Sequence, residues 1–214
     1  MRTIVTEEAV RAAARRGRAI RVGPQDAVSA SARRLAERLG VAIESGDPEP
    51  PAPDARVVAI GADHGGFALK EELKAFLAGL GYAVRDMGCH STEAVDYPDY
   101  ARAVALEVAR GAAWRGIMVD GAGIGSSMVA NKIPGVRASL CYDVSSARNA
   151  REHNDANVLT LGAGLIGVAL ARQIVETWLT TAFAGGRHAR RVDKINAMDA
   201  GKPLPGIDFQ RTPR

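Results

Sequence analysis

The stretch MVDGAGIGSS (118–127) ends an apolar run on a carboxylate, Asp120, and follows it with glycines at 121, 123 and 125. A glycine-spaced loop after a strand presents backbone N–H groups to an anion, because a residue without Cβ lets the backbone come close. Asp120 is the only side-chain proton acceptor in that loop, so anion binding and proton transfer can meet there. The spacing is G-x-G-x-G, not the dinucleotide fingerprint G-x-G-x-x-G. Asp143 does end the next strand near the place of a ribose-binding acid, but this unit sits in mid-sheet rather than opening it.

Three further clusters carry chemistry. Asp63 and His64 follow an apolar run directly and precede Gly65 and Gly66, so the pair can bond sugar hydroxyls or a phosphate; the competing reading is an Asp that caps the next helix beside a surface His. REHNDAN (151–157) sets His153, Asn154 and Asp155 between a helix and a strand. A histidine there can act as general acid or base near neutral pH, or can simply answer the helix dipole. GGRHARRVDKI (185–195) concentrates Arg187, Arg190 and Arg191 after a glycine turn. Arg187 and Arg191 are four apart, which on a helix puts them on one face, able to grip one phosphate or to form a solvated basic surface.

These clusters need a scaffold that gathers loops. From residue 56 onward, short β-branched apolar runs alternate with amphipathic stretches: RVVAIGA, YAVRDMG, GIMVD, VRASLCY and NVLTLGA are the strands, each followed by a helical pattern. Five such strands predict an α/β, doubly wound, Rossmann-like parallel sheet with helices on both faces. Ligands bind such sheets beyond the carboxyl ends of the strands. That rule selects GADHGG, DYPDY, DGAGIGSS, CYD and LGAG. Residues 46–56 are Pro-rich and acidic and read as a semi-rigid linker between a small, mainly helical module (1–45) and the main domain (57–214). In the module, Thr6 can cap one helix, Ser29 or Ser31 a second, and Gly40 ends the second.

Composition excludes several classes. No apolar run reaches the roughly 18 residues that span a bilayer. The N-terminus carries acidic residues and no apolar h-region, which does not fit a secretory signal. Two cysteines far apart define neither a metal site nor a disulfide framework, so a cytoplasmic, reducing location is expected, with no metal and no cofactor. Residues 1–45 hold nine arginines against five acidic residues, which accounts for the whole formal charge of +4. That surplus reads as a solvated basic face of the module rather than a nucleic-acid or membrane partner.

Taken together, GADHGGFALKEELKAFL, DYPDYA, GAGIGSSMVANKIPGVRASLC, SARNAREHNDANVLTLGA and FAGGRHARRVDKI resemble ribose-5-phosphate isomerase type B and the related galactose-6-phosphate isomerase subunits. The resemblance runs from residue 57 to about 199. It implies a metal-independent aldose–ketose isomerase acting on a phosphorylated sugar through an enediolate, as a homodimer or tetramer with active sites shared between subunits. It further implies ring opening by His153 and sugar contacts from Asp63, Tyr97 and Asn154. The phosphate would lie near His64 and the partner's Arg187 and Arg191, and an oxyanion hole would form from Gly121, Gly123, Ile124, Gly125 and Ser126.

The sequence also departs from this family. One branch has a Cys base at the position of Asp120 and another has Glu at the position of Ser126; here Asp120 is expected to serve instead. An unperturbed Asp is a far weaker base than Cys, with ordinary values of about 3.9 against about 8.5. Ala122 replaces a common Thr, and Gly164 replaces an Arg that contacts phosphate in relatives. These departures leave a second expectation open, a sugar-phosphate-binding protein of the same fold without catalysis. Residues 1–45 lie outside the resemblance. TEEAVRAAARRGR is similar to short appendages of enzymes packaged in bacterial microcompartments, which implies an interaction or targeting element toward a partner or shell.

Overall fold

The computed structural model describes residues 57–199 and, nearer the N-terminus, residues 4–5, 7, 10, 14, 19–23 and 27–45. The expected cap at Thr6, the whole 46–56 linker and the tail beyond 199 lie outside the described residues. The chain divides into two units, Met1–Ala52 and Pro53–Arg214.

In the first unit, β1 (Ile4–Val5) pairs in parallel with β3 (Ala27–Val28), and β2 (Ile20–Val22) with β4 (Ile43–Ser45). Helix α1 (Ala30–Leu39) begins at Ser29, whose side chain accepts from the Ala32 N–H at 3.2 Å, and ends at Gly40 with φ +67°. Ser29 rather than Ser31 is therefore the cap. Val5, Val10, Ala32, Leu35, Ala36 and Val41 form a small core of the unit's own. The module thus carries strands as well as the second of the two expected helices; the first lies largely outside the described residues. Runs of two or three residues are too short to show an alternating pattern.

In the second unit, β5 (Val57–Ala62), β6 (Ala83–Asp86), β7 (Arg115–Asp120), β8 (Ala138–Leu140) and β9 (Val158–Gly162) form one parallel sheet in the order β6-β5-β7-β9-β8. β7 and β9 are buried along their whole length and β5 nearly so, as their mainly apolar runs require, whereas the edge strands are partly exposed. Helices α2 (Phe67–Gly79), α5 (Val144–Asn154) and α6 (Val168–Thr180) cover one face through Leu69, Leu73, Leu77, Ala147, Ile174 and Trp178. On the other face α3 (Tyr97–Ala109) and α4 (Ile124–Ala130) bring Val104, Ala105 and Ala130 against Ala59 and Val158. Helix α7 (Ala189–Asp199) follows and is anchored by buried Val192. Among the described residues no helix is long and apolar enough to cross a membrane.

Helix boundaries differ from the sequence pattern where glycine and proline act. The DYPDY segment is the start of α3, because Pro98 fits a first helical turn that has no use for its missing N–H. Helix α4 begins inside the glycine loop, at Ile124, and is over by Asn131. The chain leaves β5 for β6 on one side and returns to β7 on the other. The C-terminal ends of β5 and β7 therefore flank the switch point at which such sheets open a crevice.

Candidate active site

Asp120 ends β7 and is 4% exposed. Its Oδ1 accepts the N–H groups of Ala122, at 2.8 Å, and of Gly123. Its Oδ2 accepts the Ser126 N–H at 3.3 Å and the Ser126 hydroxyl. The carboxylate therefore folds the loop around itself, which is why an acid stands at its entrance. Both oxygens are engaged by donors, and a carboxylate has about four acceptor positions in all. Gly123 takes φ +77°, a conformation that suits glycine, and Thr160 Oγ1 holds its carbonyl at 2.9 Å. Tyr142, at the end of the β8 segment, donates its hydroxyl to the Ala122 carbonyl at 2.9 Å.

With Ser126 N–H on Asp120 and Ser127 N–H on the Gly123 carbonyl at 3.2 Å, the first-turn N–H groups of Ile124 and Gly125 have no acceptor among the described residues. The Tyr97 ring lies directly over Gly125, where a Cβ would come within 2.4–2.6 Å of its Cζ, Oη and Cε2 atoms. Gly121 is exposed beside this turn, close to Gly65.

Asp63, at the end of β5, is 8% exposed and accepts the Gly66 N–H at 2.9 Å, while its own N–H reaches the Val119 carbonyl at 3.2 Å. Its carboxylate thus braces the turn that leads into α2, and its backbone N–H ties β5 to β7. His64 is exposed, with Nδ1 3.1 Å from the Val95 carbonyl and 3.2 Å from the Val95 N–H. That contact leaves its Nε2 edge as the outward one. Asp63, His64, Tyr97, Asp120 and the loop 121–126 form one group around the β5–β7 crevice.

His153, Asn154, Arg187 and Arg191 form a second group. His153 lies in the last turn of α5, its Nδ1 2.9 Å from Asn149 Nδ2, and its ring stacks on His188 at a 4.2 Å centroid distance and 2° between planes. Arg187 precedes α7 in a turn instead of sharing a helical face with Arg191, and its Nε donates to His188 Nε2 at 3.4 Å. Burial first, then His153, Arg187 and Arg191, hold the His188 imidazole below its ordinary value, against an opposing pull from Glu152. Asn154 is exposed and its carbonyl accepts from Arg137 Nε at 3.2 Å. No hydrogen bond, ion pair or ring contact joins the two groups among the described residues.

Sequence reasoning passed over Tyr142, Thr160, Asn149 and His188. His188 had a signal, being one of four histidines and standing inside the GGRHARR stretch. Asp143, considered above as a ribose-binding acid, instead caps α5 by accepting the Ser146 N–H at 2.7 Å in a reciprocal capping box. Asp155, with φ +46°, is held by Arg151 at 2.8 Å and Arg137 at 3.0 Å and shapes the α5–β9 turn. No group of three or more His, Cys, Asp or Glu side chains could hold a metal ion among the described residues.

A doubly wound sheet with an acid-centred glycine loop at its switch point defines the class, and comparison with known proteins gives the family. The chain belongs to the Ribose/Galactose Isomerase family, whose model matches residues 58–195. It is 46% identical over 142 residues to ribose-5-phosphate isomerase B of Escherichia coli strain K12, covering 66% of this chain and 95% of that protein. It is 42% identical over 139 residues to D-erythrulose-4-phosphate isomerase of Pectobacterium atrosepticum, covering 64% of this chain and 91% of that one. The solved structure of Clostridium thermocellum ribose-5-phosphate isomerase B superposes with a TM-score of 0.67 at 50% identity, covering 68% of this chain and 98% of that one.

Proposed function

We propose that this protein is a metal-independent aldose–ketose isomerase of a phosphorylated sugar, ribose 5-phosphate or a close analogue of four to six carbons, and that Asp120 moves the proton. The observation that carries the reading is the Asp120–Ser126 pair. The positions that hold the base in two branches of the family converge here on one hydrogen bond. Of the four donors on Asp120, three are backbone N–H groups and one is a hydroxyl that rotates freely about its C–O bond. When that hydroxyl turns away from Oδ2, the oxygen gains a free lone pair.

Asp120 then takes the proton from C2 of the open-chain aldose, and the C1 carbonyl oxygen becomes the enediolate oxygen. The unengaged N–H groups of Ile124 and Gly125 are placed to stabilise it. The proton returns to C1 while the proton on O2 passes to O1, which leaves the ketose. His153 opens the sugar ring, and Arg187 and Arg191 hold the phosphate. Because these residues form a group apart from the loop, they serve the crevice of a partner subunit in a homodimer or a tetramer.

A second reading is favoured by one specific observation, the saturation of the Asp120 carboxylate by four donors. On that reading Asp120 only folds the loop, and the protein binds a sugar phosphate without turning it over. Incubation with ribose 5-phosphate and its four- and six-carbon analogues, followed by NMR for the ketose products, separates the two. Appearance of a ketose phosphate supports the isomerase; saturable binding with no product from any of them supports the silent binder.

A further inference from the structure

We propose that His188 is a positioning residue that sets Arg187 for the substrate phosphate and His153 for ring opening, because its imidazole touches both. The inference rests on the sugar-phosphate reading above and adds a residue to it. The backbone of His188 is fixed on both sides. Its N–H reaches the Gly185 carbonyl at 2.9 Å, and its carbonyl accepts the N–H groups of Arg191 and Val192, each at 3.0 Å, as α7 begins. The side chain is 8% exposed, so a group that could have been apolar is instead an imidazole. A buried polar ring is kept at a cost unless its polar atoms are used.

Both uses are visible. The flat face meets the His153 ring at 4.2 Å with the planes 2° apart, which fixes the plane in which His153 can turn. The Nε2 edge accepts from Arg187 Nε at 3.4 Å. An arginine held through Nε presents its two terminal nitrogens outward as a fork, the geometry that matches two phosphate oxygens. Accepting from Arg187 requires a lone pair on Nε2, hence a neutral ring with its hydrogen on Nδ1. The burial and the flanking cations that lower the basicity of His188 favour the same neutral form. One imidazole therefore links the residue that binds the anion to the residue that opens the ring.

The test uses the full-length chain and the aldose phosphate it converts fastest, with His188→Phe, His188→Gln and His188→Ala read beside Arg187→Ala and His153→Ala. His188→Phe keeps a flat ring and removes the acceptor, so KM should rise about tenfold while kcat stays within about threefold. His188→Gln restores an acceptor, and KM should return to within about threefold of wild type. His188→Ala removes both contacts and should lower kcat about tenfold as well. Inorganic phosphate as a competitive inhibitor should weaken in parallel with KM. If the three His188 variants keep wild-type KM and kcat while Arg187→Ala and His153→Ala are impaired, His188 is only filling space and the proposal fails. If Arg187→Ala and His153→Ala are themselves unimpaired, it is the sugar-phosphate reading of the cluster that fails.

Discussion

Ser126 reaches the same oxygen of Asp120 twice, through its hydroxyl and through its backbone N–H at 3.3 Å. The serine is fully buried, so this contact is shielded from bulk water. The relationship makes Asp120 both the organiser of the turn and its one titratable group. Any substitution there acts on geometry and chemistry together.

Asp120→Asn keeps the size of the side chain but turns an N–H₂ group toward donors that need an acceptor. Turnover should fall about 100- to 10,000-fold, the usual range for a lost general base. Binding of a non-isomerisable sugar-phosphate analogue should persist, because Asp63, His64 and the arginines are untouched. Ser126→Ala removes only the rotating hydroxyl, and its effect should be about tenfold or less. Turnover of Asp120→Asn near the wild-type level, measured by NMR of the product ketose, would sink the assignment.

Gly125→Ala would drive a methyl into the Tyr97 ring, where contacts of 2.4–2.6 Å cannot stand. Tyr97 is 38% exposed and can swing outward, so the unfolding midpoint should change little. Displacing a side chain that lies over the loop should instead raise KM by about tenfold. Equal loss of stability in Gly125→Ala and a core variant such as Leu73→Ala would show that the glycine serves packing, not the site.

Gly164 stands where the resemblance implies an arginine for the phosphate, and a Cβ there would lie 3.0 Å from the Gly121 carbonyl oxygen. The missing cation should shift substrate choice more than folding. A panel of four-, five- and six-carbon sugar phosphates is expected to show preference for something other than ribose 5-phosphate. Gly164→Arg should move the preference toward ribose 5-phosphate. A clear wild-type preference for ribose 5-phosphate over the whole panel would refute this.

Acid stability turns on Asp86, at the end of edge strand β6. Burial alone would raise its carboxyl, but hydrogen bonds from Lys70 and Lys74 and from the Gly88 N–H override it, and it falls from 3.8 to about 2. A carboxylate with a depressed value adds stability above its unfolded value and loses it as pH drops toward the folded one. The window is therefore about pH 4 down to about pH 2, worth on the order of 2 kcal/mol before solvent screening is allowed for. Lys70 is fully buried, so Asp86→Asn also leaves a buried cation with only the partly exposed Glu71 as carboxylate partner at neutral pH. Urea midpoints of wild type and Asp86→Asn should differ most at pH 6 and converge near pH 2. A constant difference across that range would mean the carboxylate is not what Lys70 relies on.

The sheet was legible because its central strands are buried on both faces and so read as mainly apolar runs. The strands at 4–5 and 27–28 were not, since two residues carry no periodicity. Within the site, the glycines and acids could be read from type and spacing, whereas the partners of Asp120 could not. Three of its four donors are backbone N–H groups, and side-chain identity does not encode where those point. His188 escaped for a related reason. Its importance lies in a stacked ring 35 positions away in the chain, at His153, and only folding brings the two together.

Residues 1–45 provide the last prediction. They lie outside the family match at 58–195 and hold the chain's surplus positive charge. The apolar face of α1 is already covered, because Ala32, Leu35 and Ala36 pack against Val5, Val10 and Val41 of the same unit. The second unit likewise has its own two cores on the two faces of its sheet. Among the described residues each core is built within its own unit, and the module is expected to serve interaction or targeting rather than catalysis. Deleting residues 1–54 should leave turnover, melting temperature and the dimer close to wild type. The same deletion should abolish co-sedimentation with a partner or a microcompartment shell, and the isolated module fused to an inert carrier should restore it. Loss of the dimer, or a fall in melting temperature of more than about 5 °C, would instead make the module a structural part of the enzyme.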